Sequence, residues 1–364
     1  MGKSIKSLKD MFVDISTTSS KIFIVGHDEP DYDAIASAIG LSELCQNYGI
    51  DSYLIVDDND IELEPGVKQI IDKEKERCNI INIEEFEELK DNMSSLIVTD
   101  TNNQSLVSVR DYLEDFKDIL IIDHHAESVR TIDTENKHID EDASSASEIV
   151  TNLLSNLKVK YSKDTANYLL SGIRLDTKRF KKNTSANTYD QVRKLLNRGA
   201  TMDYVEDLFT TEIDVDKAIS LLIHDDHNTR MVEYGDPNFD RDNILLKGYN
   251  VSFTLNRLDP TKGYKKVVLA QTADRMISFR TTDASFVLGY INPNTVYISG
   301  RSKGKIDVGK IMDKMNGGGS IRSAGCRIDN PDDIFEIEKE LMQQIEWGLP
   351  KEEVKKLIKK PREV

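Results

Sequence analysis

Seven residues, His27 to Asp33, hold one imidazole and four carboxylates in the run HDEPDYD. Further along stand Asp100 in VTDT, Asp123, His124 and His125 as an uninterrupted triplet, and Asp176 in GIRLDTKRF. Carboxylates and imidazoles together form a donor set for Mn²⁺, Fe²⁺ or Zn²⁺, and the excess of carboxylate favours Mn²⁺. Donors in this number suit two ions sharing a bridging carboxylate, the arrangement used in phosphoryl hydrolysis. Taken one at a time, each aspartate has a plainer reading as a turn former or helix cap, Asp33 included. Taken together on one surface they would repel one another, and burying such charges is costly unless they coordinate a metal.

The elements around these residues explain how they could meet. KIFIVGH (21–27), SYLIVDD (52–58), SLIVTDT (95–101) and ILIIDHH (119–125) are continuous apolar runs rich in Ile and Val, as buried parallel strands are. Segments of helix length lie between them, at 33–48 and 84–91, so the pattern is βαβ and the fold α/β, with helices on both faces of a parallel sheet. Three of the four runs end in possible metal ligands. The carboxyl ends of such strands form one rim, where ligands bind. From 143 to about 198 the chain reads as helical, and Asp176 falls in a glycine-containing break after an apolar helix.

Residues 201–238 read as a helical connector to a smaller domain at 239–346. There VVLAQTA, ASFVLGYI and TVYISGRS read as strands, with helices near 307–315 and 331–346. Residues 347–364 form a charged tail whose basic part reads as a solvated helix. HDDH at 224–227 has a helical ligand spacing, but a solvated polar face is the plainer reading. With 364 residues the chain suits two domains, the first spanning 1–200. Its formal net charge of −16 argues against a long nucleic-acid groove and leaves room for a small anionic substrate whose charge bound metal ions offset. No apolar run has the length of a membrane span, and the first twenty residues lack a signal-peptide core. The three cysteines have neither disulfide nor zinc spacing, and Cys45 reads as core. A cytoplasmic location is expected.

At these residues the chain resembles the DHH phosphoesterase superfamily over nearly its whole length. GHDEPDYDA (26–34) matches the pattern GHxxPDxDA, Asp100 supplies the second motif, Asp123–His125 the third and GIRLDTKRF (172–180) the fourth. The stretch from Ile298 to Gly325 resembles the DHH-associated domain, which is glycine-rich and binds substrate. The resemblance implies a metal-dependent phosphodiesterase with two Mn²⁺ ions, or other divalent transition metals. One ion would be held by His27, Asp31 and Asp100, the other by Asp33, Asp100, His124 and Asp176. It implies a catalytic role for His125 as phosphate contact or supporting group, with Asp123 orienting a neighbouring histidine. Arg301, Gly317, Gly318, Gly319 and Ser320 would bind substrate. Within the superfamily EDASSASEIVTNLL, the DTKRF form of the fourth motif, and DASFVLGYI followed by ISGRS look most like the catalytic part of GdpP-type cyclic-di-AMP phosphodiesterases. The implied reaction opens cyclic di-AMP to linear pApA. A short-oligoribonucleotide exonuclease or pAp phosphatase, and a slow nucleotide-binding sensor, are the competing readings. A homodimer is compatible with either. The chain departs from the superfamily's GGGGH motif: the aligned stretch is NGGGS, with Asn316 in place of the first glycine and Ser320 in place of the histidine.

Overall fold

Residues 7–56, 63–210, 213–224, 229–234, 249–255, 265–331 and 333–348 are described by the structure, a computed structural model. The chain divides after Thr210 into two units. In the first unit the order is α1 (Leu8–Thr18), β1 (Ile22–Val25), α2 (Tyr32–Asn47), β2 (Ser52–Ile55), α3 (Pro65–Glu74), β3 (Ile80–Ile81) and α4 (Ile83–Leu89). Then come β4 (Ser95–Thr99), β5 (Ile119–Asp123), β6 (Asn136–Ile139), α5 (Ala146–Asn156), α6 (Lys163–Asp176), α7 (Ala186–Asn197) and α8 (Met202–Leu208).

The six strands are all parallel, in the order β3-β2-β1-β4-β5-β6. The central strands are mainly apolar because both of their faces are covered. Ile22 and Ile24 join Leu54, Ile97, Leu120 and Ile122 against α2, α5 and α6, while Phe23 and Val25 join Ile55, Leu96, Val98 and Ile121 on the opposite face. Phe86 of α4 meets Phe23 edge-on there, at 4.9 Å between ring centroids. Helix α2 is buried from Tyr32 to Cys45, and its run of Ala, Ser and Gly lets α5 and α6 pack closely on it. The strand order turns back between β1 and β4, so their carboxyl ends border the crevice where open α/β sheets take their ligands.

The second unit runs α9 (Ile213–His224), β7 (Thr229–Tyr234), β8 (Tyr249–Leu255), α10 (Lys266–Ile277), β9 (Ala284–Asn292), β10 (Thr295–Ser302), α11 (Val308–Asp313), β11 (Gly318–Gly319), β12 (Ser323–Asp329) and α12 (Ile334–Gly348). Its sheet has the order β11-β12-β10-β9-β8-β7 and is antiparallel except between β8 and β9. Helices α9 and α10 bury Val215, Ile219, Leu269 and Met276 around Val287. Helices α11 and α12 cover Phe286, Leu288, Val296 and Ile298 on the other face.

Several expectations are corrected. VVLAQTA is helix α10, not a strand. Its buried residues Val268, Leu269, Thr272, Ala273 and Met276 recur at helical spacing, a period the short window hides. The expected helical connector at 201–238 is not one element. Helix α8 packs in the first unit, α9 belongs to the second, and Thr229–Tyr234 is a strand paired with β8. The sheet of the first unit has six strands rather than four, the short β3 and the polar β6 having no strong apolar pattern. Asp176 is the last residue of α6, which runs unbroken through Gly172. Residues 225–227 of HDDH and the tail from 349 onward lie outside the described residues.

Candidate metal centre

Asp31 begins the site. It caps α2, its Oδ1 accepting the backbone N–H groups of Asp33 and Ala34 at 2.8 and 3.2 Å. The cap turns the chain sharply after β1 and leaves His27, Asp31 and Asp33 on the rim together. Asp100 follows β4 directly in the left-handed backbone region, with φ +60°, which costs a non-glycine residue free energy and is found mostly at functional turns. Its carboxylate is 4% exposed. The Oδ2 atom lies 3.7 Å from His27 Nε2, and Oδ1 lies 3.3 Å from His124 Nε2, so the two oxygens face different partners. His124 Nε2 is also 3.2 Å from Asp176 Oδ2 and 4.0 Å from Asp33 Oδ2.

Three groups of potential ligand atoms share Asp100, one of them made by Asp100, Asp123, His124 and His125. Ligand atoms of His27, Asp31 and Asp100 lie within 4.8 Å of one another, as do those of Asp33, Asp100, His124 and Asp176. These are the two sets that the motifs imply. The fit of a cation rests on two atoms. Asp100 Oδ1 and His124 Nε2 are buried and have no hydrogen-bond partner, although they face each other across 3.3 Å. Buried polar atoms are rarely left so, and a divalent cation would satisfy both. Burial, followed by the charge of Asp33, raises the Asp100 carboxyl well above its ordinary range. Burial likewise raises Asp176 to about 7. Burial opposes charge on His124, yet the Asp100 and Asp176 carboxylates beside it outweigh that and push it up to about 12.

Helix α5 and helix α6 frame Asp33. The first two N–H groups of α5 grip its carboxylate, Ala146 N to Oδ2 at 2.7 Å and Ser147 N to Oδ1 at 2.9 Å. A helix N-terminus favours negative charge, so this contact fixes the Asp33 carboxylate in one orientation. Gly172 lets α6 come close: a Cβ there would stand 2.5 Å from Asp33 Oδ1 and 2.3 Å from Ser147 Oγ. Beyond Asp176 the helix ends in a tight turn in which Lys178, Arg179 and Phe180 all have left-handed φ (48°, 60° and 60°). Buried Thr177 ties that turn down, its Oγ1 accepting Phe180 N at 3.0 Å.

Asp123 and His125 stand beside the cluster. Asp123 Oδ1 pairs with His125 Nδ1 at 2.9 Å and accepts the His124 and His125 N–H groups. Asp123 is fully buried while the His125 side chain is 54% exposed, so the imidazole is fixed at Nδ1 and open at its other edge. One residue escaped the sequence reading. Buried Asn102 donates to Asp123 Oδ2 at 2.7 Å and to the His125 carbonyl at 2.9 Å, and Thr131 Oγ1 donates to its Oδ1. The signal available was only an amide two residues after Asp100, which turns offer everywhere.

In the second unit Gly317, Gly318, Gly319 and Ser320 form one turn-and-strand segment, with Gly318 and Gly319 paired to β12. Ser320 Oγ accepts the N–H groups of Arg322 and Ser323. Arg301 is not free. Its Nε and Nη2 bind the Asp274 carboxylate at 3.1 and 3.2 Å, and its Nη1 donates to Ser299 and to the Gly300 carbonyl.

Residues 21–173 match the family described as DHH family, N-terminal domain, and residues 250–346 match the DHHA1 domain. The cyclic-di-AMP phosphodiesterase GdpP of Bacillus subtilis (strain 168) is 30% identical over 323 residues, 86% of this chain and 46% of that protein. The cyclic-di-AMP phosphodiesterase PdeA of Listeria monocytogenes (serotype 1/2a, strain 10403S) is 28% identical over 341 residues, 92% of this chain and 48% of that protein. The chain therefore spans about half the length of these curated relatives. An exopolyphosphatase-related protein from Bacteroides fragilis has the same fold, with a TM-score of 0.75 at 20% identity, covering 99% of this chain and all of that one. Among the described residues no helix is long and apolar enough to cross a membrane.

Proposed function

This chain belongs to the DHH family, and we propose that it is a metal-dependent phosphodiesterase that opens cyclic di-AMP to linear pApA. The observation that carries the reading is the pair of ligand clusters meeting at Asp100, whose buried Oδ1 faces His124 Nε2 across 3.3 Å with no hydrogen bond formed at either atom. His27, Asp31 and Asp100 would hold one cation, and Asp33, Asp100, His124 and Asp176 the other. Two such cations supply neutralisation of phosphoryl charge and lower the pKa of water to the physiological range. Mn²⁺ suits the donor set, five carboxylates and two imidazoles counted over the two clusters with Asp100 counted twice.

The protein's own residues do the rest. Asp100 faces both clusters, and its shared charge would let two like-charged ions lie close together. Asp33, clasped by α5, presents a carboxylate that has no freedom to turn away. His125, fixed by Asp123 and through it by Asn102, directs its free ring edge outward, where it can donate to a phosphate oxygen or to the leaving oxygen. The cyclic-di-AMP substrate is supported by the two relatives whose names carry that activity and which match most of this chain. Hydrolysis of cyclic di-AMP, cyclic di-GMP, pApA and pAp with Mn²⁺, the products identified, tests it. The expected result is cyclic di-AMP converted to pApA. Turnover of pAp or pApA with cyclic di-AMP untouched would replace this reading with the oligonucleotide or pAp one.

A further inference from the structure

We infer that Arg322 is the phosphate-binding residue of the second unit, presented by the turn that follows the glycine run. That the phosphate belongs to a nucleotide rests on the function proposed above. The turn itself is closed. Ser320 N donates to Ser323 O at 2.7 Å, and the Ser320 hydroxyl accepts Arg322 N and Ser323 N at 3.3 and 3.2 Å while donating to Ser323 O. The serine is occupied with its own turn, so the anion contact falls to a neighbour.

Arg322 fits that role by elimination and by geometry. Among the cations flanking the glycine run, Arg301 is bound by Asp274, Lys305 pairs with Asp283 at 3.2 Å, and Lys303 donates to the carbonyls of Phe279 and Arg280. No carboxylate among the described residues pairs with Arg322, whose side chain is exposed. Its backbone, by contrast, is anchored: Ser302 N donates to Arg322 O at 2.9 Å, and Val308 N donates to the Ile321 carbonyl. The guanidinium lies over the side of Gly304 where a side chain would project. A Cβ built there would lie 3.4 Å from Nη2 and 3.6 Å from both Cζ and Nε, near-equal distances that put the flat face of the group over the glycine. Gly304 has φ +102°, a conformation a side chain would strain, so the platform requires glycine. With its face supported, the guanidinium offers its N–H edge to solvent. That edge matches two phosphate oxygens. In a chain of net charge −16, an arginine without a carboxylate partner is a selective place for an anion.

Steady-state kinetics of the full chain with saturating Mn²⁺ decide the matter, using cyclic di-AMP, pApA and pAp. The variants are Arg322→Ala, Arg322→Lys and, as a control for lost charge, Lys310→Ala, an exposed lysine paired with Asp307. For whichever nucleotide the unaltered protein turns over, Arg322→Ala should raise KM about ten- to a hundredfold, the effect of losing hydrogen bonds to a charged group. The change should fall on KM rather than kcat, Arg322→Lys should lie between, and Lys310→Ala should stay within about twofold. An Arg322→Ala KM within about twofold of the unaltered protein's overturns the assignment. If the unaltered protein turns over none of the three, the phosphodiesterase reading fails, and calorimetric binding of pApA then decides the arginine. Weaker binding by Arg322→Ala supports it; equal binding by the two, or none by the unaltered protein, overturns it.

Discussion

Asp100 is the residue on which the two halves of the cluster depend, because its oxygens face His27 and His124 separately. Asp100→Asn preserves shape and removes the shared charge. It should lower phosphodiesterase activity by several orders of magnitude and reduce bound Mn²⁺ to at most one ion, read by metal analysis alongside turnover. Two ions bound with near-normal turnover would remove Asp100 from the bridging role. The same cluster sets a pH dependence. In the bare site His124 is pushed up to about 12 and Asp176 up to about 7, so near neutrality the first carries its proton and the second carries it part of the time. A cation can bind only after these protons leave. Mn²⁺ affinity should therefore rise with pH through the neutral range, and binding should release protons. Calorimetry in two buffers of different ionisation enthalpy counts them; affinity flat with pH would contradict the protonated cluster. At this scale the ligand types were legible in the sequence because each stands at or just beyond the end of a strand or helix.

Helices do more here than cover the sheet. The N-terminus of α5 points at Asp33, and the interaction is built from main-chain groups, so no side-chain motif announces it. Ala146→Pro removes one of its two N–H groups. Ala146 is the first residue of α5, where proline is tolerated, and Ser145 before it is already extended at ψ 160°. The helix should remain, while the cation held by Asp33 should bind about tenfold more weakly, the usual effect of removing a partner that orients a metal ligand. Mn²⁺ titration followed by paramagnetic resonance would resolve it, with Ser147→Ala as a neutral control, since its buried hydroxyl has no partner. Unchanged affinity in the proline variant would reduce α5 to a packing role. Helix α10 carries the complementary lesson: its apolar residues satisfy a strand window and a helix window alike, and only packing against α9 and Val287 decided between them.

The molecule is organised as two units, and among the described residues no apolar cluster draws on both. Residues 1–210 alone should therefore fold, with a cooperative thermal transition, and bind Mn²⁺ through the complete ligand set. They should hydrolyse cyclic di-AMP poorly, since orienting the substrate is a large part of catalysis and the glycine turn lies in the other unit. A fragment as active as the whole chain would show that the second unit does not position substrate. The sequence by itself determined the parallel sheet, the order of its central strands along the chain and the carboxylates and imidazoles that gather at its rim. Those features are local: an apolar run reports burial on both faces, and a ligand at its end is carried to the rim with the strand. Only the tertiary structure decided that α5 grips Asp33, that Asn102 holds Asp123, that Asp274 takes Arg301 and that Arg322 meets no carboxylate among the described residues. Those pairings join groups as much as 114 residues apart, through main-chain atoms or common polar side chains, and are settled by how the elements pack rather than by any residue's neighbours in the chain.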